Sequence, residues 1–107
     1  MKKIAIYYRV STDKQDLSSQ RIAVERFLEE QKDQPKKITV FEEEGYSGKN
    51  TQRPAFHKMM ALVTTKKIDT IVVYRLDRFS RDANMAIKTI LELDQYGVGF
   101  VSVTQPV

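Results

Sequence analysis

The stretch Ile71-Val72-Val73-Tyr74-Arg75-Leu76-Asp77-Arg78-Phe79-Ser80-Arg81-Asp82 passes from a β-branched apolar tract into a polar segment holding three arginines. A continuous apolar run of this kind reads as a strand buried on both faces. Asp82 is suited to cap the helix that follows, and Gly97 to end it as the residue just past its last turn. Phe100-Val101-Ser102-Val103 is a further strand. Upstream, Ile38-Thr39-Val40-Phe41 is a strand, residues 42–51 are a polar loop with Gly45 and Gly48, and Pro54 suits the first turn of a helix reaching Thr65. Before these, Ile4-Ala5-Ile6-Tyr7-Tyr8 reads as a strand and residues 11–16 as a polar stretch. A helix over residues 18–32 follows, with Gln20, Val24, Phe27, Leu28 and Gln31 at helical spacing. The order βαβαβαβ predicts an α/β fold of three layers. It has a mainly parallel central sheet, helices on both faces and right-handed crossovers. Ligand sites in such sheets lie beyond the C-terminal strand ends, here residues 9–16, 42–53, 75–81 and 104 onward.

Composition narrows the function classes. A chain of 107 residues, 41% hydrophobic and 30% charged, is one globular domain with one core. Eighteen Lys and Arg against fourteen Asp and Glu give a net charge of +4, too small an excess to identify a nucleic-acid partner by itself. Without cysteine there are no disulfides, thiolate metal sites or Cys nucleophiles. The short apolar run at the start, closed by Arg9, is not a signal peptide, and no stretch nears the roughly 18 apolar residues of a membrane span. These features predict a soluble protein of a reducing cytoplasm with no membrane partner.

The placement of the arginines says more than their number. Of the seven, Arg9, Arg53, Arg75, Arg78 and Arg81 fall at strand ends or in the loops just after, and only Arg21 and Arg26 lie on a helix. The topology gathers those five at one edge of the sheet. Guanidinium forks are suited to phosphate oxygens; the competing reading is a solvated basic rim paired with Glu42, Glu43 and Glu44. Ser11 and Thr12 lie at the same edge, either as turn or capping residues or, for Ser11, as a nucleophile activated by positive charge. The single histidine, His57, sits on a helix as a surface or packing residue, so a Ser-His-Asp triad is not expected. Glu42-Glu43-Glu44 point to alternating sides of a strand end and lack metal-site spacing. Residues 45–49 are no Walker loop, which disfavours nucleotide hydrolysis. Tyr7 and Tyr8 face opposite sides of their strand, with core packing favoured for both and Tyr7 within reach of the site. Asp77 is a salt-bridge partner, an orienting group for an arginine, or a proton acceptor. One helical turn would put Arg78 and Arg81 on one face while Leu76 and Phe79 pack inward.

These motifs together resemble the catalytic domain of serine site-specific recombinases of the resolvase/invertase family. The resemblance rests on residues 7–12 (Tyr-Tyr-Arg-Val-Ser-Thr), residues 45–48 (Gly-Tyr-Ser-Gly), Arg53-Pro54-Ala55 and residues 76–81 (Leu-Asp-Arg-Phe-Ser-Arg). The second and third of these are similar to the large serine recombinase branch of phage integrases and transposon resolvases. The resemblance implies a resolvase-like fold and site-specific recombination of double-stranded DNA in excision or integration of a mobile element. It further implies that Ser11 forms a covalent 5′-phosphoserine intermediate, with no cofactor and no metal. It casts Ser11, Arg9, Arg78, Arg81, Asp77 and Arg53 as catalytic, with Tyr7, Gln20 and Ser47 supporting, and Gln15 as a weaker match in the loop after the nucleophile. A lysine used by some small members falls on Thr64 here, so that function is absent or shifted to Lys66 or Lys67. The resemblance also implies a bacterial or phage-derived cytoplasmic protein.

Members of the family continue into a long dimerisation helix and DNA-binding domains, so residues 1–107 are expected to be an N-terminal catalytic domain shortened before both. That predicts a monomer with weak DNA binding and poor activity for this fragment, and a dimer and synaptic tetramer for the full-length protein. The alternative is a non-catalytic phosphate- or nucleic-acid-binding α/β module, which needs the arginines but not the Ser11 hydroxyl. A phosphoester hydrolase would need a water-activating base or metal that the sequence does not offer. The polar loops at residues 11–16 and 42–53 are expected to be mobile without DNA.

Overall fold

The apolar runs become the strands of one sheet. A computed structural model describes residues 1–10, 14–44, 53–76, 79 and 82–104. The elements are β1 (Lys3–Val10), α1 (Lys14–Glu29), β2 (Lys37–Glu44), α2 (Pro54–Thr64), β3 (Thr70–Val73), α3 (Ala83–Gln95) and β4 (Gly99–Ser102). The strands lie in the order β2-β1-β3-β4, and every pair is parallel.

Period-two alternation along β1 divides the core between the two faces. Ala5 and Tyr7 join Met59 and Val63 of α2 and Ala86 and Leu93 of α3. Ile4, Ile6 and Tyr8 face Val24 and Leu28 of α1. The chain steps one way from β1 to β2 and the other way through β3 and β4. Helices on opposite faces are what right-handed crossovers then require. The strand order reverses between β1 and β3, the topological switch point at which open α/β sheets take ligands.

Elements β1, α1 and β2 differ from the sequence expectation; β1 runs on past Tyr8 to Val10. Helix α1 spans Lys14–Glu29 rather than residues 18–32. Its polar first turn is held by the Gln20 amide, which donates to Asp16 Oδ2 at 3.1 Å. Its end is closed by Gln34, whose Nε2 donates to the carbonyls of Leu28 and Gln31. Strand β2 runs on to Glu44 instead of giving way to a loop at Glu42, because its glutamates find partners. Glu42 pairs with Arg21, and Glu43 turns into the protein. Residues 14–16 and 42–44 of the two expected loops are therefore regular structure; residues 11–13 and 45–52 lie outside the described residues.

The other helix ends follow the sequence. Pro54 opens α2 at its first position. The Asp82 side chain accepts the Asn84 N–H at 2.9 Å at the start of α3. Gly97 follows α3 with φ +74°, a conformation that favours glycine.

Candidate active site

Three strand ends and the start of α2 converge on one cluster. On β1, Tyr7 is 1% exposed and its ring packs edge-on against Phe56 and Phe79. Its phenol donates to Glu43 Oε1 at 2.9 Å. Burial pushes the phenol pKa up to about 12, outweighing the Arg53 guanidinium, which pulls it down. Tyr7 is thus a neutral donor near pH 7 and not a base.

Glu43, 4% exposed, lies on β2 beside Arg9 in the strand register. It takes three donors: the Tyr7 phenol, the Phe56 N–H at 2.9 Å and the Ala55 N–H at 3.1 Å. The last two are unpaired amides of the first turn of α2. The N-cap residue there is Arg53, whose side chain makes no capping bond. Glu43 caps the helix from another strand.

Arg53 sits at φ 49°, ψ 61°, in the left-handed region that non-glycine residues seldom occupy. The guanidinium carbon lies 3.9 Å from the Phe56 ring centroid and 5.6–5.7 Å from those of Phe79 and Tyr7. Arg53 Nη2 donates to the Phe79 carbonyl at 2.6 Å and lies 3.4 Å from the Tyr7 oxygen. Phe79 itself is 2% exposed, and its N–H bonds to the Leu76 carbonyl at 3.0 Å. Leu76 packs against the same core, so both residues face inward as the motif spacing predicts.

Gln20, fully buried on α1, donates to the Arg9 carbonyl at 3.1 Å as well as to Asp16. That bond ties α1 to the end of β1, two residues before Ser11.

Of the sequence candidates, Tyr7, Arg9, Gln20 and Arg53 are brought to this end of the sheet. Ser11, Ser47, Asp77, Arg78 and Arg81 lie outside the described residues. Gln15 belongs to the first turn of α1 and not to a loop. Thr64 ends α2, with its hydroxyl on the Ala61 carbonyl. His57 is exposed against Phe56. Among the described residues no three His, Cys, Asp or Glu side chains are grouped to hold a metal, and no helix is long and apolar enough to cross a membrane.

Sequence reasoning missed the role of Glu43, which it set at the start of a polar loop, in an acidic run pointing to alternating sides of a strand end. A signal was present: Phe41 faces the core, and two residues on a strand returns to the same face.

The family model "Resolvase, N terminal domain" matches residues 4–107. A DNA-invertase of Enterobacteria phage P7 is 34% identical over 101 residues, covering 94% of this chain and 48% of that protein. Serine recombinase gin of Escherichia phage Mu is 36% identical over 101 residues, with 94% and 47% covered. The chain thus spans about half the length of the curated relatives it matches. Among solved structures, the N-terminal catalytic domain of TP901-1 integrase superposes with a TM-score of 0.77 at 28% identity, covering 95% of this chain and 77% of that one.

Proposed function

Because the chain belongs to the resolvase N-terminal domain family of serine recombinases, we propose that it is the catalytic domain of a site-specific DNA recombinase acting through Ser11. The Ser11 oxygen attacks a phosphodiester phosphorus. The P–O3′ bond breaks, the freed 3′ oxygen takes up a proton, and the serine keeps the 5′-phosphate as an ester. After strand exchange a 3′-hydroxyl of the partner strand attacks that phosphorus and releases the serine. Bond energy is kept in the phosphoserine, so no nucleotide is consumed.

The observation that carries this reading is the strand order, which reverses direction between β1 and β3. In the sequence, Ser11 follows the last residue of β1, and Asp77, Arg78 and Arg81 fall between the end of β3 and the start of α3. Arg9, Arg78 and Arg81 are assigned to the charge that builds on the phosphorane oxygens, where fixed guanidinium groups act most strongly. Asp77 orients that arginine pair. Arg53 braces the site, with Tyr7, Gln20 and Ser47 in support. The DNA duplex is the substrate, and the complete recombinase pairs with copies of itself to exchange strands.

The test is covalent capture. The full-length protein, extended past Val107, is mixed with a library of randomised duplexes labelled at their 3′ ends, and denaturing electrophoresis separates any adduct. Label should travel with wild-type protein and be absent with Ser11→Ala, which should still bind duplex within about twofold of wild type. No adduct from a wild-type protein that binds DNA would refute the nucleophile and favour the binding-module alternative.

A further inference from the structure

A carboxylate buried to 4% exposure must be well paired to be tolerated. Three donors on the two oxygens of Glu43 achieve this, and each donor leads toward Arg53. Ala55 and Phe56 N–H belong to the helical turn that Arg53 begins, so Glu43 fixes the backbone from which the guanidinium springs. The Tyr7 phenol, held by Glu43, stands 3.4 Å from Arg53 Nη2, so Glu43 also fixes what the guanidinium tip meets. That tip is bonded to the carbonyl of Phe79, the residue between Arg78 and Ser80 in the chain.

We infer that Glu43 is a positioning residue for phosphoryl transfer, acting through Tyr7 and Arg53 to hold the β3–α3 segment against β1; the inference rests on the recombinase reading above. Glu43 is buried behind Tyr7 and the start of α2 and does not meet DNA. Its loss acts on the rate of the bound complex and not on affinity. A simple fold staple would behave otherwise: its removal would lower stability, and DNA binding and rate would fall together.

Two measurements separate these outcomes. The first needs no reaction. In ¹⁵N-resolved spectra the guanidinium protons of Arg53 should exchange slowly with solvent, and in Glu43→Gln their exchange should quicken at least tenfold. Tyr7→Phe keeps the helix cap and removes only the phenol link, so it serves if Glu43→Gln does not fold, and it should also quicken exchange. The second is single-turnover adduct formation at saturating DNA. Glu43→Gln should slow it by 10- to 100-fold with the Kd for duplex unchanged within twofold. Arg53→Ala should show a similar loss, and the double variant should be no slower than the slower single variant. Wild-type exchange and rate in Glu43→Gln would overturn the inference, as would a loss of rate fully matched by weaker DNA binding. Should the wild-type protein form no adduct, the recombinase reading fails, and the exchange measurement alone still decides whether Glu43 holds Arg53.

Discussion

Phe79 is where core and site coincide, and replacing it by leucine tests both. Its ring is 2% exposed, with centroids 5.0 Å from Phe100 and 5.8 Å from both Tyr7 and Phe56, all steeply inclined. Leucine keeps much of the apolar burial but forfeits the edge-to-face contacts, each worth about 0.5–1.5 kcal/mol beyond area. Phe100 and Phe56 are only partly buried, so their pairs count toward the lower end. Phe79→Leu should therefore cost roughly 1.5–3 kcal/mol, against about 3–5 kcal/mol for Phe79→Ala, which adds a cavity. For a domain of this size that is a fall in Tm of roughly 6–15 °C. Urea unfolding should move the midpoint and leave the slope unchanged, as expected when the native state is weakened without a change in exposed surface. The carbonyl that Arg53 binds belongs to the main chain of Phe79, so the leucine variant should also quicken Arg53 guanidinium exchange. A Tm within a degree of wild type would refute the aromatic cluster as the support of this segment.

Asp82→Ala removes the side-chain acceptor at the start of α3 and should cost about 1 kcal/mol, with Asp82→Asn within a few tenths of wild type; equal melting of Asp82→Ala and wild type would refute the cap. Burial pushes the phenols of Tyr7 and Tyr8 up to about 12 from an ordinary value near 10. Their neutral forms therefore stabilise the fold fully below pH 10, and that stability is lost as pH rises from 10 to 12. Stability should fall across that window and less steeply in Tyr7→Phe; ionisation of all five tyrosines near pH 10 with native circular dichroism would refute the burial argument. Arg78→Lys should slow adduct formation on the order of 10²–10³-fold, since a compact ammonium cannot replace a two-pronged guanidinium at a phosphorane; a near-wild-type rate would remove Arg78 from the chemistry.

The element order was legible because each strand carries an apolar run and the helix ends carry Pro54, Asp82 and Gly97. The first turn of α1 and the last residues of β2 were not legible, because both are polar and stabilised by partners that periodicity does not report. Asp16 is held by Gln20, and Glu42 by Arg21. The placing of Arg9, Arg53 and Arg75 at one edge was legible through topology alone, since parallel strands put every strand-end loop at the same edge; Arg78 and Arg81 lie outside the described residues.

Glu43 was hidden for a different reason. Its donors come from positions 7, 55 and 56, all remote from the acidic triplet in sequence. The indirect signal lies in Arg53-Pro54-Ala55. Proline at the first helical position has no N–H to satisfy, which passes the need for an acceptor to the amides of Ala55 and Phe56. Arginine at the capping position has no acceptor to offer. A helix that begins in this way and is packed into the core requires an acceptor from elsewhere in the fold, and an inward-facing acid at the end of the neighbouring strand meets that requirement. Because the residue whose cap is supplied from outside is also the arginine that reaches Phe79, the chain has joined the stability of α2 to the placement of the site. A substitution that leaves the cap in place and shortens the arginine would uncouple the two. Arg53→Ala should leave the Ala55 and Phe56 N–H groups on Glu43, so that α2 still forms by circular dichroism, and should lose the brace to the Phe79 carbonyl.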